Sequence, residues 1–347
     1  MNHKVRVRNT VLRKSIDSLP VDFVAVDEVR EKLRRHFNSS TDEEFLRAFQ
    51  VDMVWIREPD YLKETVETDN HREDYWGIRR RRQSYGEGEY WEPYDYPLNT
   101  AEKFEDLEKH PWPDPDDFDY DGYLEELKTQ HDYAIYGGLG SAFYVPTLLR
   151  EMSLVLMDMV LNPSLLDALV SRVVDFQLAY YERIFRKCRG CLDIFYIADD
   201  YGTQTGLMFE KEKWRRFFKS GTTQLVDLAH RYDLLVMLHS CGSVRELIGE
   251  FIDIGVDILD PIQTTAANMD IEELKRHFGR HICFHGAIDT QNVLNFGTVD
   301  QVRDHVRRTI DVMGDRGGYI ISPCHNIQVS TPVENILALY ETANEFK

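Results

Sequence analysis

Cysteine is scarce: the chain has 347 residues and five cysteines, at positions 188, 191, 241, 283 and 324. An odd number scattered over so long a chain is not the framework of a disulfide-built secreted domain. Reduced thiols are expected instead, some of them available to a metal. Long apolar runs are also missing. No window approaches the roughly 18 unbroken apolar residues of a membrane helix, and the opening MNHKVRVRNTVLRK has no apolar centre of the signal-peptide kind. Both absences point to the cytoplasm. Positive charge is in deficit, with 41 Lys and Arg against 60 Asp and Glu, for a net charge of −19. That balance opposes nucleic-acid binding, which rests on phosphate neutralisation. It also disfavours a polyanionic substrate, unless a local pocket reverses the field. The basic run Arg79–Arg82 reads as a solvated face or a partner contact. There is no G-x-S-x-G and no P-loop, and GGLGSA at 137–142 lacks dinucleotide-loop spacing. CRGC, Cys188 to Cys191, has no second pair with which to form a structural zinc site.

What is present is a large core. Hydrophobic residues make up 43% and charged residues 29%, the composition of a globular chain. Eight short apolar runs read as strands: 22–27, 51–56, 133–139, 194–200, 234–240, 257–263, 282–289 and 319–325. Continuous apolar runs of this length suit strands buried on both faces of a parallel sheet. Helix-period stretches lie between them, such as VRELIGEFIDIG and VDQVRDHVRRTIDVMG, each ending near glycine. Eightfold strand–helix alternation predicts an α/β fold, a (β/α)8 TIM-type barrel, as a single domain over 1–347. Residues 58–132, rich in aromatics, acids and proline, break the rhythm and read as an insertion after the second strand. Trp76, Trp91 and Trp112 either line a pocket there or anchor the insertion.

In such barrels chemistry gathers at the carboxyl ends of the strands. The polar residues fall there: Asp199, Asp200 and Tyr201 after the fourth strand, His239 and Cys241 after the fifth, and Asp260 and Gln263 at the sixth. His285 and Asp289 follow at the seventh, and Cys324 and His325 at the eighth. Thiol plus imidazole is ligand chemistry that selects zinc. His239 and Cys241, two apart on one strand, point the same way, whereas the neighbours Cys324 and His325 point oppositely, so one of them is the expected third ligand. Asp199 and Asp200 form a candidate acid–base pair, one of which is alternatively a loop holder. Gln263, His285, Asp289 and Tyr201 are candidate substrate-binding residues, and His285 is alternatively a satisfied core histidine.

The segments ADDYGTQTG, HSCGSV, DILDPIQTTAANMDIEELKRHFG, FHGAIDTQNVL and GGYIISPCHNIQVSTPVENILALYE together resemble the uroporphyrinogen decarboxylase superfamily. More narrowly, they resemble its branch of zinc-dependent, corrinoid-linked methyltransferases. The resemblance is specific from about residue 190 onward, and implies a (β/α)8 barrel. It implies a methyltransferase that binds Zn2+ and moves a methyl group between a small methylated substrate or thiol and the corrinoid (cobalamin) of a partner protein. Decarboxylation of the uroporphyrinogen type and a non-catalytic metabolite-binding barrel are the alternatives, and a homodimer is left open. The true decarboxylases carry M-R-Q-A-G-R near the N-terminus to hold porphyrinogen carboxylates. Here SLPVDF is followed by VAVDEVREKLRR, which argues against a porphyrinogen substrate. The methyltransferase branch binds zinc through H-x-C, matched by His239 and Cys241, and a distant cysteine in P-G-C-G-I-A. Aligned on the proline and isoleucine, that motif puts His325 at the cysteine position and Cys324 one place earlier. Imidazole in place of thiolate would leave the metal more positive and a stronger Lewis acid.

Overall fold

The computed structural model describes residues 1–85 and 88–346. Its strands are β1 (Met53–Ile56), β2 (His71–Glu73), β3 (Arg79–Tyr85), β4 (Gly88–Asp95), β5 (Ala134–Gly140), β6 (Ile194–Ala198), β7 (Leu235–His239), β8 (Ile258–Ile262), β9 (Cys283–Ile288) and β10 (Tyr319–Pro323). Seven of them form one parallel sheet in the order β1-β5-β6-β7-β8-β9-β10. Helices occupy the crossovers from β5 onward, giving a TIM-like α/β fold.

The first expected run, 22–27, is not a regular strand. Val21 and Ala25 make single parallel bridges to Ile321 and Ile327. The Asp22 amide donates to the Ile321 carbonyl, and the Val21 carbonyl accepts from the Asp52 amide. The stretch therefore runs between β10 and the start of β1, the two edges of the sheet. Pro20 has no amide to give and a helix begins at Asp27, which leaves room for bridges and not for a ladder.

Period-two alternation sorts each strand's residues into two clusters. Met53, Ala134, Ile194, Leu235, Met237, Ile258, Cys283 and Ile320 meet on the inside, plugged from below by Val7 and Val11 of the helix His3–Val11. Ile135, Phe195, Val236, Leu238, Leu259, Phe284 and Ile321 face outward into the larger cluster shared with the helices. Two residues beyond the inner apolar floor come Trp55, Tyr136, Tyr196, His239, Asp260 and His285. The alternation that builds the floor thus also lifts the polar and aromatic residues to the strand ends.

The helix Val299–Met313 shows how the outer layer is specified. A reciprocal capping box of Thr298 and Gln301 starts it, and Val302, Val306, Thr309, Ile310 and Met313 form its buried stripe. Between β1 and β5 the chain forms the antiparallel sheet β2-β3-β4 and the helices Phe104–Glu108 and Tyr120–Thr129. Arg79, Arg80 and Arg82 on β3 pair with Glu73 and Asp95, with Asp74, and with Glu89. Trp76 is buried against Phe176 and Trp112, with ring centroids 4.7 and 6.3 Å away, and so anchors this segment to the helix Pro163–Lys187. Among the described residues no helix is long and apolar enough to cross a membrane.

Candidate metal centre

His239 ends β7, and its imidazole is held from below. Nδ1 lies 2.6 Å from Asp260 Oδ2, which leaves Nε2 facing Cys241 Sγ at 3.4 Å and Asp200 Oδ1 at 3.7 Å. Among the described residues Asp200, His239 and Cys241 form a group whose potential ligand atoms all lie within 4.8 Å of one another. Glycine makes this approach possible. A Cβ on Gly202 would sit 2.5 Å from the Cys241 carbonyl oxygen, and Gly242, at φ +86°, would place one 2.6 Å from the Thr203 carbonyl. The loops after β6 and β7 thereby touch backbone to backbone, and the Cys241 amide donates to Asp200 Oδ1 at 2.6 Å.

Behind this group runs a buried chain of alternating carboxylates and imidazoles. Asp260 Oδ1 meets His285 Nδ1 at 2.6 Å, and His285 Nε2 meets Asp22 Oδ2 at 3.0 Å. The Tyr196 hydroxyl adds a bond to Asp260 Oδ2 at 2.9 Å. Burial alone would drive the imidazoles down and the carboxyl up. The mutual attraction wins: beside Asp260 and Asp22, His285 is pushed up to about 9, and beside Asp260 and Cys241, His239 stands well above its ordinary value. Asp260, flanked by the two imidazoles, is held far below the usual carboxylate range.

The other sequence candidates separate. Asp199 is fully buried. Its oxygens accept from the Ser141 and Tyr201 hydroxyls at 2.6 and 2.8 Å and from the amides of Ala142, Phe143 and Tyr144 at 2.7–3.0 Å, so it holds the loop after β5. Tyr201 is sealed with it among Phe143, Phe218 and Trp214. The Gln263 side-chain oxygen accepts from the Gly242 amide at 2.8 Å. Asp289 accepts from the amides of Gln291 and Asn292 and folds its own turn. Both brace loops around the centre. Cys324 is buried 3.4 Å from the Thr290 hydroxyl, and burial raises its thiol pKa. His325 is exposed at the rim. Both line the cavity of about 70 Å3 shared with His239, Asp260 and His285, while Asp200 takes the third place in the close group. Beside that cavity is a wider one of about 360 Å3, lined by Trp55, Tyr136, Tyr196, Leu139 and Arg30 among others. Trp55 stands 5.4 Å from Tyr136 and 5.3 Å from Tyr196, ring to ring.

Sequence reading placed Asp260 among the polar strand-end residues without a specific role, and did not single out Asp22, Tyr196 or Trp55. The one available signal was inward phase, since Trp55, Tyr196 and Asp260 sit at the alternation positions above the floor. A larger groove, about 960 Å3, opens beside His3, Val51 and Tyr133 at the opposite ends of the strands. Among the described residues it holds no comparable ligand cluster.

A curled parallel sheet bearing imidazole, thiol and carboxylate at its strand ends defines a TIM-like protein with a candidate metal centre. The model of the uroporphyrinogen decarboxylase (URO-D) family matches residues 93–346, and the chain belongs to that family. A uroporphyrinogen decarboxylase of Crocosphaera subtropica is 28% identical over 186 residues, 53% of this chain and 48% of that protein. A methionine synthase of Methanothermobacter thermautotrophicus is 26% identical over 98 residues, 28% of this chain and 31% of that one. The chain thus spans about half or less of the curated relatives it matches. A methyltransferase from Methanosarcina mazei superposes over 100% of this chain and 99% of its own with a TM-score of 0.73 at 19% identity, a likeness of fold.

Proposed function

We propose that the protein is a zinc-dependent methyltransferase moving a methyl group between a small methylated substrate or thiol and a corrinoid carried by a partner protein. The observation that carries the reading is the convergence of His239 Nε2, Cys241 Sγ and an Asp200 oxygen within ligand distance of one another. This mixed thiolate, imidazole and carboxylate set fits zinc. His239 is oriented through Nδ1 by Asp260, the arrangement in which a carboxylate fixes the tautomer of a metal-binding histidine. His325 or Cys324 would supply a further ligand from across the small cavity. Zinc held there would supply a Lewis acid that activates a thiol or polarises the leaving heteroatom of a methylated substrate. The aromatic wall of Trp55, Tyr136 and Tyr196 would hold the body of the substrate and exclude water. On this reading residues 21–25 are the eighth strand of a (β/α)8 barrel, and 58–132 an insertion beside its mouth.

Elemental analysis tests the metal: about one zinc per chain is expected in the wild type, and little in Cys241→Ala. Methyl transfer from methylated compounds to cob(I)alamin tests the reaction. A decarboxylase of the URO-D type is the second reading, favoured by the identity with a curated decarboxylase. The chain has VAVDEVREKLRR after SLPVDF, with no arginine cradle for a porphyrinogen with eight carboxylates. Conversion of uroporphyrinogen to coproporphyrinogen by pure protein would establish that second reading instead.

A further inference from the structure

The geometry points to Asp22 and His285 as positioning residues that act through Asp260 to aim His239 Nε2 at the metal. The inference rests on the metal reading above. Its basis is the connectivity of four side chains, three of them buried, from four segments. Asp22 precedes β1, His285 is on β9, Asp260 on β8 and His239 on β7.

A carboxylate turns easily about its last torsion, and an imidazole has two near-equivalent settings of its ring. A lone hydrogen bond from Asp260 would therefore leave His239 with alternative orientations. Here each terminal torsion is pinned twice. Asp260 offers Oδ2 to His239 and to the Tyr196 hydroxyl, and Oδ1 to His285, at 2.6, 2.9 and 2.6 Å. His285 is bonded at both nitrogens, to Asp260 and to Asp22, so a ring flip would break two bonds. Asp22 accepts from the Phe23 amide through Oδ1 at 2.7 Å, which keeps Oδ2 for His285. Its own backbone is fixed by the bond to Ile321 and by the Tyr340 hydroxyl on its carbonyl at 3.1 Å. Asp22 is 0%, His285 1% and Asp260 7% exposed. The links are buried and their side chains are bonded on more than one side, so a cut at the far end is felt at the near one. Of the four ring nitrogens of His239 and His285, His239 Nε2 is the one that meets no carboxylate of this relay.

The test is cobalt(II) titration of the full chain, followed by the visible absorption of thiolate-bound cobalt and by zinc competition. Folding of each variant is checked by circular dichroism at the titration temperature. Asp22→Asn and His285→Gln are each expected to weaken the metal about tenfold, the scale of losses behind a metal-binding histidine. They should alter the cobalt spectrum although neither touches the metal. Because they act in one line, the double variant should bind no more weakly than His285→Gln alone. If Asp22→Asn does not fold, His285→Gln and Tyr196→Phe carry the same comparison. Folded variants that bind cobalt as tightly as wild type, with the same spectrum, overturn the positioning role and leave the metal reading standing. Wild-type protein with no thiolate–cobalt band overturns both.

Discussion

Two buried carboxylates on either side of β7, Asp199 after β6 and Asp260 on β8, make opposite uses of burial. Asp199 is met by neutral donors only, two hydroxyls and three amides, and burial pushes its pKa up despite them. Asp260 is met by two imidazoles and a phenol, and its charge is held far below the usual range. Neutral donors make a latch for the loop after β5. Titratable donors make a chain whose far end reaches the proposed metal ligand. The contrast is one of partners rather than of depth, since both are buried.

The largest effect is expected from Asp260→Asn. It removes the charge from between two imidazoles, and loss of one partner of a buried ionic network costs about 3–5 kcal/mol. Zinc affinity should drop by ~10- to 100-fold, read by chemical denaturation and by chelator competition. Asp199→Asn tests the latch. Stability should fall by about 1–3 kcal/mol through mismatched donors, while zinc affinity stays at the wild-type value. A large loss of zinc in that variant would erase the distinction between the two carboxylates.

The pH response sharpens the comparison further. His285 at about 9 in the folded chain lies above the roughly 6.5 of an unfolded histidine. The folded state therefore holds that proton more tightly. The stabilisation is complete below pH about 6.5 and is lost as pH rises through about 9, a change of up to about 3 kcal/mol. Denaturation of metal-free protein across that window should show the decline, and His285→Gln should remove its share. The smallest effect is expected from Tyr196→Phe, which deletes one of three donors to Asp260 and should cost about 1 kcal/mol, with zinc affinity reduced less than in His285→Gln.

The sequence carried the strand ends well and the partnerships poorly. His239 and Cys241 were legible as candidate ligands because their chemistry and their two-residue spacing lie in one short stretch. Asp199 and Asp200 look alike in sequence, yet one turns into the loop scaffold and its neighbour reaches Cys241. Which does which depends on where the loop after β5 passes, and no local pattern carries that. Asp22 was invisible as a site residue because its partner His285 is 263 positions away, and its own segment makes bridges in place of a ladder. Cys324 and His325, expected at one strand end, both line the small cavity beside His239. Asp200, expected as an acid or base, stands closer to His239 and Cys241 than the ligand pattern suggested.

The Tyr340 hydroxyl, on the helix Val333–Asn344, reaches back 318 positions to the carbonyl of Asp22. A ribosome delivers the chain in the reverse of the order in which this contact needs it. While the first thirty residues emerge, their neighbours on β9, β10 and the last helix do not yet exist. Asp22 must wait, its apolar neighbours Val21 and Phe23 uncovered, until that helix has been made. The site is therefore completed only after residues 333–344 have been translated, and a chain stalled short of Tyr340 would lack the bond that fixes Asp22.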